Sequence, residues 1–376
     1  MPVRMSGLRF WIERFNPQKA TDMKITLPPG LIEATRLTKA GRLGDATAAI
    51  QRMLNSKATP DSAKPQVRRG PPTIDGQAEA PGATKAKPAR ETGSKFLAAS
   101  FSNQAGTRPY KLYVPSGYHG QPVPLIVMLH GCTQSPDDFA AGTRMNEAAE
   151  EHTCLVAYPA QTKSANMQKC WNWFSAADQQ RDAGEPSLIA GITREIMGKY
   201  AVDPRRVYVA GLSAGGAAAA VMGDAYPDLY AAIGVHSGLA CGAARDMPSA
   251  FAAMQQGSAG SAQRAGHRVV PAIVFHGDRD TTVNPRNGDA VVKQSSQATS
   301  LKKQTKEGRA PGGHAYSRTL YENAARQIVI EQWNIHGAGH AWAGGSSAGS
   351  FTDPHGPDAT REMLRFFLEH PQPMAA

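Results

Sequence analysis

Short apolar runs separated by helical stretches constrain this chain more than any other feature. Leu125–Leu129 is wholly apolar and lies between Pro124 and Gly131. Leu155–Tyr158, Val207–Ala210 and Ala272–His276 are runs of the same kind, and Ile328–Ile335 is a further strand with some alternation. Lys111–Val114 reads as an edge strand. Helical stretches fall at Asp138–Glu151, Leu188–Tyr200, Ala214–Tyr226 and Ala359–Glu369. A strand with one wet face alternates apolar and polar residues, so continuous apolar strands require cover on both faces. The expected class is α/β, a mainly parallel sheet with helices on both faces. No apolar run approaches the roughly 20 residues of a membrane-spanning helix, which excludes an integral membrane protein.

Three zones follow along the chain. In residues 1–54, Leu31, Ala34, Leu37 and Thr38 recur at helical spacing. Ala46, Ala49, Ile50 and Met53 do so after a break at Gly41–Gly44, giving a short N-terminal helical extension. Residues 55–95 carry Pro60, Pro65, Pro71, Pro72, Pro81 and Pro88 among small and basic residues, and read as a disordered linker. Residues 96–371 hold the α/β domain. The formal charge of +10 sits almost wholly outside that domain. Residues 1–96 contain 17 Lys and Arg against 8 Asp and Glu, and the rest 24 against 23. Scattered basic residues without interleaved aromatics describe a solvated tail, so no nucleic-acid partner is expected.

The chemistry concentrates at Val207-Tyr208-Val209-Ala210-Gly211-Leu212-Ser213-Ala214-Gly215-Gly216. Here G-x-S-x-G stands between a strand and a helix, the context in which this turn lifts a serine above a sheet edge. Ser213 is the candidate nucleophile. Ala214 begins the helix, so its N–H lacks an intrahelical partner and is available to an oxyanion. A serine nucleophile needs a base and an orienting acid, which follow it in that type of enzyme in the order acid, then histidine. His276-Gly277-Asp278-Arg279-Asp280 closes the next strand, and His336-Gly337-Ala338-Gly339-His340-Ala341-Trp342 follows the one after. Asp280 is the candidate acid, with Asp278 as its competitor, and His340 the candidate base. His276, His336 and His236 are expected to be structural. His130-Gly131-Cys132-Thr133-Gln134 follows an early strand, and the Cys132 N–H is the second candidate oxyanion donor.

The set HGCTQ (130–134), CWNWF (170–174), DPRRVYVAGLSAGG (203–216), HGDRDTTV (276–283) and GAGHAW (337–342) resembles the poly(3-hydroxybutyrate) depolymerase family of esterases. Feruloyl and acetylxylan esterases are close relatives of that group. The resemblance covers residues 97–371. It implies an α/β-hydrolase fold and carboxylic-ester hydrolysis without a cofactor, with Ser213, Asp280 and His340 as triad and Cys132 at the oxyanion position. The implied partner is an ester substrate, a short-chain 3-hydroxybutyrate-type ester or oligomer. Feruloyl or acetylxylan ester hydrolysis is the alternative, and a catalytically inactive binding protein the alternative from another class. Members that digest solid polyester usually carry a C-terminal polymer-binding domain, so attack on crystalline polymer is not expected.

Trp171, Trp173 and Trp342, with Phe174, are aromatics near these motifs, and one or two are expected to meet the substrate at the mouth of the site. The four cysteines lack C-x-x-C pairs, so no metal is expected. Cys132 and Cys170 both fall in motifs near the site, and a bridge between them stands open against two free thiols. Cys154 reads as a small core residue. Met1–Asp22 is punctuated by Arg4, Arg9, Glu13, Arg14 and Lys19 and does not read as a secretory signal. That favours the cytoplasm, whereas the resemblance implies an extracellular protein. The oligomeric state is not indicated.

Overall fold

Side chains of the strand Val123–Leu129 (β3) divide between two cores. Leu125, Val127 and Leu129 enter one, Ile126 the other along with Met128. The strand Val202–Leu212 (β5) does the same, with Val207 and Val209 on one side and Tyr208 and Ala210 on the opposite side. This is the physical content of the wholly apolar runs: both faces of the sheet are covered, so neither set of alternate positions can be polar.

This computed structural model describes residues 93–258, 268–296 and 300–373. The expected extension over 1–54 lies outside the described residues, as does the linker up to residue 92. Lys95, expected to end that linker, already begins a strand.

The remaining strands are Lys95–Asn103 (β1), Gly106–Val114 (β2), Leu155–Pro159 (β4), Ala232–His236 (β6), Ala272–Gly277 (β7), Lys302–Arg309 (β8), Ala315–Glu322 (β9), Ile328–Ile335 (β10), Trp342–Ala343 (β11) and Thr352–Asp353 (β12). The main sheet has ten strands in the order β1-β2-β4-β3-β5-β6-β7-β10-β9-β8. The block from β4 to β10 is parallel, and antiparallel strands flank it on both sides. Parallel strands end at one edge, so the loops after β3, β5, β7 and β10 gather there.

The helices are Pro136–Thr143 (α1), Met145–His152 (α2), Gly184–Lys199 (α3), Ala214–Ala225 (α4), Met247–Gln256 (α5), Arg286–Ser296 (α6) and Ala359–Glu369 (α7). Helices α3 to α6 supply Ile189, Ile192, Ala217, Ala250 and Val291 to one core. Helices α1, α2 and α7 supply Phe139, Met145, Met363 and Phe367 to the other. Among the described residues no helix is long and apolar enough to cross a membrane.

Two expectations are corrected. Lys111–Val114 is not at an edge, because β2 is bonded on one side to β1 and on the other to β4. Among the described residues the outer positions belong to β1 and β8: β1 is mostly exposed although five of its nine residues are apolar, and β8 is exposed and polar and so gives no apolar signal. The stretch Asp138–Glu151 is two helices, because Arg144 takes the left-handed conformation (φ 55°, ψ 26°) and ends α1.

Candidate active site

At the end of β5 the chain turns into α4 through Ser213, at φ 58° and ψ −120°. A positive φ at a residue with a side chain costs on the order of 1–3 kcal/mol and persists only where the surroundings impose it. Here they do. The Ser213 N–H donates to His236 O at 2.9 Å, and Ser213 O accepts from Ala217 N at 2.9 Å. A Cβ at Gly215 would stand 2.0 Å from Leu129 O, and one at Gly211 2.3 Å from the Gly215 carbonyl carbon, so only glycine lets β3, β5 and α4 approach this closely. The Ser213 hydroxyl does not cap the helix it begins.

Asp280 sits in the loop after β7, and His340 in the loop after β10. The two loops are zipped together. Asp278 N–H donates to Ile335 O and Arg279 N–H to Ala338 O, both at 3.0 Å. His340 Nδ1 lies 2.7 Å from Asp280 Oδ2. Thr282 and Val283 N–H groups hold Oδ1 at 2.9 and 2.8 Å. His276 Nε2 lies 3.4 Å from Oδ2 and 2.8 Å from Val283 O. Burial alone would raise the Asp280 carboxyl. The bonds from His276, His340 and Val283, with the His340 charge, outweigh it and hold the group well below the usual carboxylate range. Asp278 faces elsewhere: it pairs with His336 Nδ1 at 3.0 Å and accepts from Gly337 N–H at 2.7 Å, in solvent. The structure therefore brings His340 to Asp280 and not to Asp278. It gives Ser213 no hydrogen bond to either among the described residues.

His236 joins the serine turn to the histidine loop. Its carbonyl holds Ser213, and its Nε2 accepts from Ala343 N–H at 3.0 Å. Its Nδ1 then carries the proton and faces Ser237 Oγ at 3.2 Å. Complete burial lowers this imidazole to about 3, so it stays a neutral acceptor.

The turn at 130–134 approaches from the other side. A Cβ on Gly131 would lie 3.6 Å from Ser213 Cβ. Neither the Cys132 N–H nor the Ala214 N–H has an acceptor among the described residues. The turn is held on every flank. Gly131 N–H donates to Gln134 Oε1 at 2.9 Å, and Gln134 Nε2 donates to Asp138 Oδ2 at 2.8 Å and Ser350 O at 3.0 Å. Thr133 N–H donates to Gln168 O at 2.6 Å. His130 Nδ1 meets Gly131 O at 2.7 Å, its Nε2 accepts from Gln161 N–H at 3.0 Å, and burial lowers it to about 4. A disulfide joins Cys132 to Cys170, which closes that open alternative. Gln134 stood in the HGCTQ motif without a role. Its bond to Gly131 depends on the turn's geometry, which no local pattern reveals.

The three tryptophans are not at a mouth. Trp171 and Trp342 are completely buried and Trp173 nearly so. Trp171 Nε1 donates to His130 O at 3.1 Å, and Trp342 Nε1 to Thr360 Oγ1 at 3.0 Å. Trp342 also packs edge-on to Phe139 and stacks on His236. The rings of Trp171 and Trp342 have partners for both the apolar body and the polar N–H, and Trp173 packs edge-on to Phe174. The exposed large apolar side chains flanking the turn are Met167 and Phe351. Their neighbours Gln168 and Ser350 bond to the turn.

A family model described as Esterase PHB depolymerase matches residues 108–315. The chain belongs to the PHB depolymerase family of esterases. The match to that family takes in Ser213 and Asp280 and stops before His340. Among curated relatives, poly(3-hydroxyalkanoate) depolymerase C of Paucimonas lemoignei is 32% identical over 66% of this chain and 62% of its own length. The chain thus spans less than two thirds of that protein. Feruloyl esterase B of Neurospora crassa is 28% identical over 60% of this chain and 82% of its own. The solved acetyl xylan esterase from Aspergillus awamori superposes with a TM-score of 0.55 at 21% identity, covering 66% of this chain and 94% of that one. The fold is that of the α/β-hydrolases.

Proposed function

We propose that this chain is a serine esterase that hydrolyses short-chain 3-hydroxybutyrate-type esters or oligomers through Ser213, His340 and Asp280. The observation that carries the reading is the Asp280–His340 hydrogen bond at the sheet edge where the strained Ser213 turn stands. In this reading Asp280 fixes the imidazole with Nδ1 as donor, so that Nε2 is the basic nitrogen turned to the substrate side. Ser213 Oγ attacks the ester carbonyl carbon while His340 takes its proton, a contact that tightens when substrate binds. The Cys132 and Ala214 N–H groups donate to the oxygen that becomes negative. The tetrahedral intermediate expels the alcohol, which receives the proton from His340. Water then attacks the acyl-enzyme with His340 as base and releases the acid.

With the tryptophans buried, the exposed Met167 and Phe351 and the half-buried Phe174 are apolar groups that could meet the alkyl parts of an ester. The Cys132–Cys170 disulfide supports an oxidising compartment. A polysaccharide-linked ester is the second reading, favoured by the feruloyl and acetylxylan esterases among the relatives.

The deciding experiment compares the chain with Ser213→Ala on a chromogenic butyrate ester, hydroxybutyrate oligomers, methyl ferulate and acetylxylan. Loss of nearly all hydrolysis in the folded variant is expected, with oligomers the better substrates. Hydrolysis that survives Ser213→Ala refutes the nucleophile. Failure of the native chain to react with a fluorophosphonate points to an inactive binding protein.

A further inference from the structure

Glu185 lies in the first turn of α3 and is buried, yet it takes no part in the chemistry above. Its carboxylate collects donors from three residues. Oε1 accepts from Arg108 Nη2 at 3.2 Å, from Asn172 Nδ2 at 2.9 Å and from Gln161 Nε2. Oε2 accepts from Asn172 N–H at 2.7 Å. Each of the two neutral donors leads to the turn at 130–132. Gln161 gives its backbone N–H to His130 Nε2 and its side chain to Cys170 O at 2.9 Å. Asn172 follows Trp171, whose indole N–H holds His130 O, and Trp171 follows Cys170, which is bonded to Cys132. One buried carboxylate therefore anchors the imidazole, the carbonyl and the disulfide arm that surround the Cys132 N–H.

We propose that Glu185 is a positioning residue for the oxyanion turn, acting through Gln161, Asn172 and the Cys170 arm. The inference rests on reading the Cys132 N–H as an oxyanion donor. A carboxylate suits this place because every hydrogen-bond partner of its two oxygens is a donor. An amide in its place turns its N–H groups either toward the Asn172 N–H, losing one contact, or toward Arg108 and the Gln161 and Asn172 side chains, losing three. Arg108 supplies the compensating charge. A displaced oxyanion donor costs turnover, because the donor must meet the oxygen where charge develops and not where the ground-state carbonyl lies.

The test is Glu185→Gln in the full chain, assayed with a chromogenic butyrate ester, by thermal melting, and by inhibition with benzeneboronic acid, which forms a tetrahedral adduct on a reactive serine. The expected result is a loss of about 10- to 100-fold in kcat, in the range of a misplaced catalytic group. KM should stay within about twofold, and boronate affinity should fall with kcat. A purely structural carboxylate would lower the melting temperature and leave kcat unchanged, and that result overturns the proposal. So does a rise in KM with kcat intact. If Glu185→Gln does not fold, Asn172→Ala removes the Nδ2 contact at a half-buried position and leaves the backbone N–H to Oε2 in place. A several-fold drop in kcat at constant KM is then expected, and unchanged kcat is the overturning outcome. Ser213→Ala run in parallel separates the two readings. Activity surviving in Ser213→Ala refutes the esterase site itself, whereas Ser213-dependent activity with an indifferent Glu185→Gln refutes only the role of Glu185.

Discussion

Asp280 Oδ2 lies 2.7 Å from His340 Nδ1, while Asp278, two residues earlier, is bonded to His336. Two carboxylates on one loop are thus separated by direction, one turned into the protein and one into solvent. In the proposed mechanism Asp280→Asn presents an amide to Nδ1 and favours the wrong tautomer. A drop of about 10³–10⁴ in kcat is expected, with KM little changed. Asp278→Asn should stay within about twofold of the native enzyme. Steady-state kinetics on the two variants checks the assignment, and equal losses would defeat it.

The Cys132–Cys170 bridge closes a segment of 38 residues and ends beside a proposed oxyanion donor. Replacing both cysteines by serine should cost about 4 kcal/mol of stability by the chain-entropy argument. Turnover should fall about tenfold even well below the melting temperature, because the turn loses its covalent arm. Full activity in the folded double variant would show that the bridge serves stability alone.

His130 and His236 are held neutral by burial, lowered to about 4 and about 3. In the unfolded chain both take up protons near pH 6.5. The unfolded state therefore binds more protons between pH 6.5 and 4, and acidification through that window favours unfolding. Each histidine contributes up to about 1.4 kcal/mol per pH unit there. Asp280 acts lower. Its depressed carboxyl adds stability that is present above the ordinary Asp value and lost as pH falls toward its folded value. Urea unfolding at pH 7 and pH 5 should show the loss, and His236→Gln should lessen it. An unchanged slope in that variant would mean the ring is not kept neutral.

Gly215→Ala should prevent the β5–α4 turn from seating against β3, since its methyl would meet the backbone oxygens of Leu129 and His130. A cost of at least about 3 kcal/mol, or failure to fold, is expected from overpacking against backbone. Gly198→Ala in α3 meets nothing within 4 Å and should stabilise by about 0.5–1 kcal/mol. Thermal melting of the pair distinguishes a steric requirement for glycine from a general one.

The sequence exposes what burial on both faces imposes, and hides what solvent permits. Strands β3, β4 and β7 and the buried half of β5 are legible because each must be apolar there, and β10 is legible through its alternation. Strand β8, Lys-Lys-Gln-Thr-Lys-Glu-Gly-Arg, carries no such pattern because it is exposed. The helix break at Arg144 is silent because the left-handed turn is taken by a residue other than glycine. At the site, G-x-S-x-G marks Ser213 through its own neighbours, whereas the choice between Asp280 and Asp278 depends on a loop 60 residues away. The tryptophans mislead for the same reason. Proximity to a motif says where a ring lies along the chain, and its neighbours in space decide whether it meets solvent.

The rim formed by β8 has one further consequence. A row of backbone amides without a strand partner among the described residues is an invitation to pair with another molecule, and this row is studded with Lys302, Lys303, Lys306 and Arg309, all exposed. A second copy docking edge to edge would set ammonium groups against one another, so the sheet discourages its own extension into fibrils.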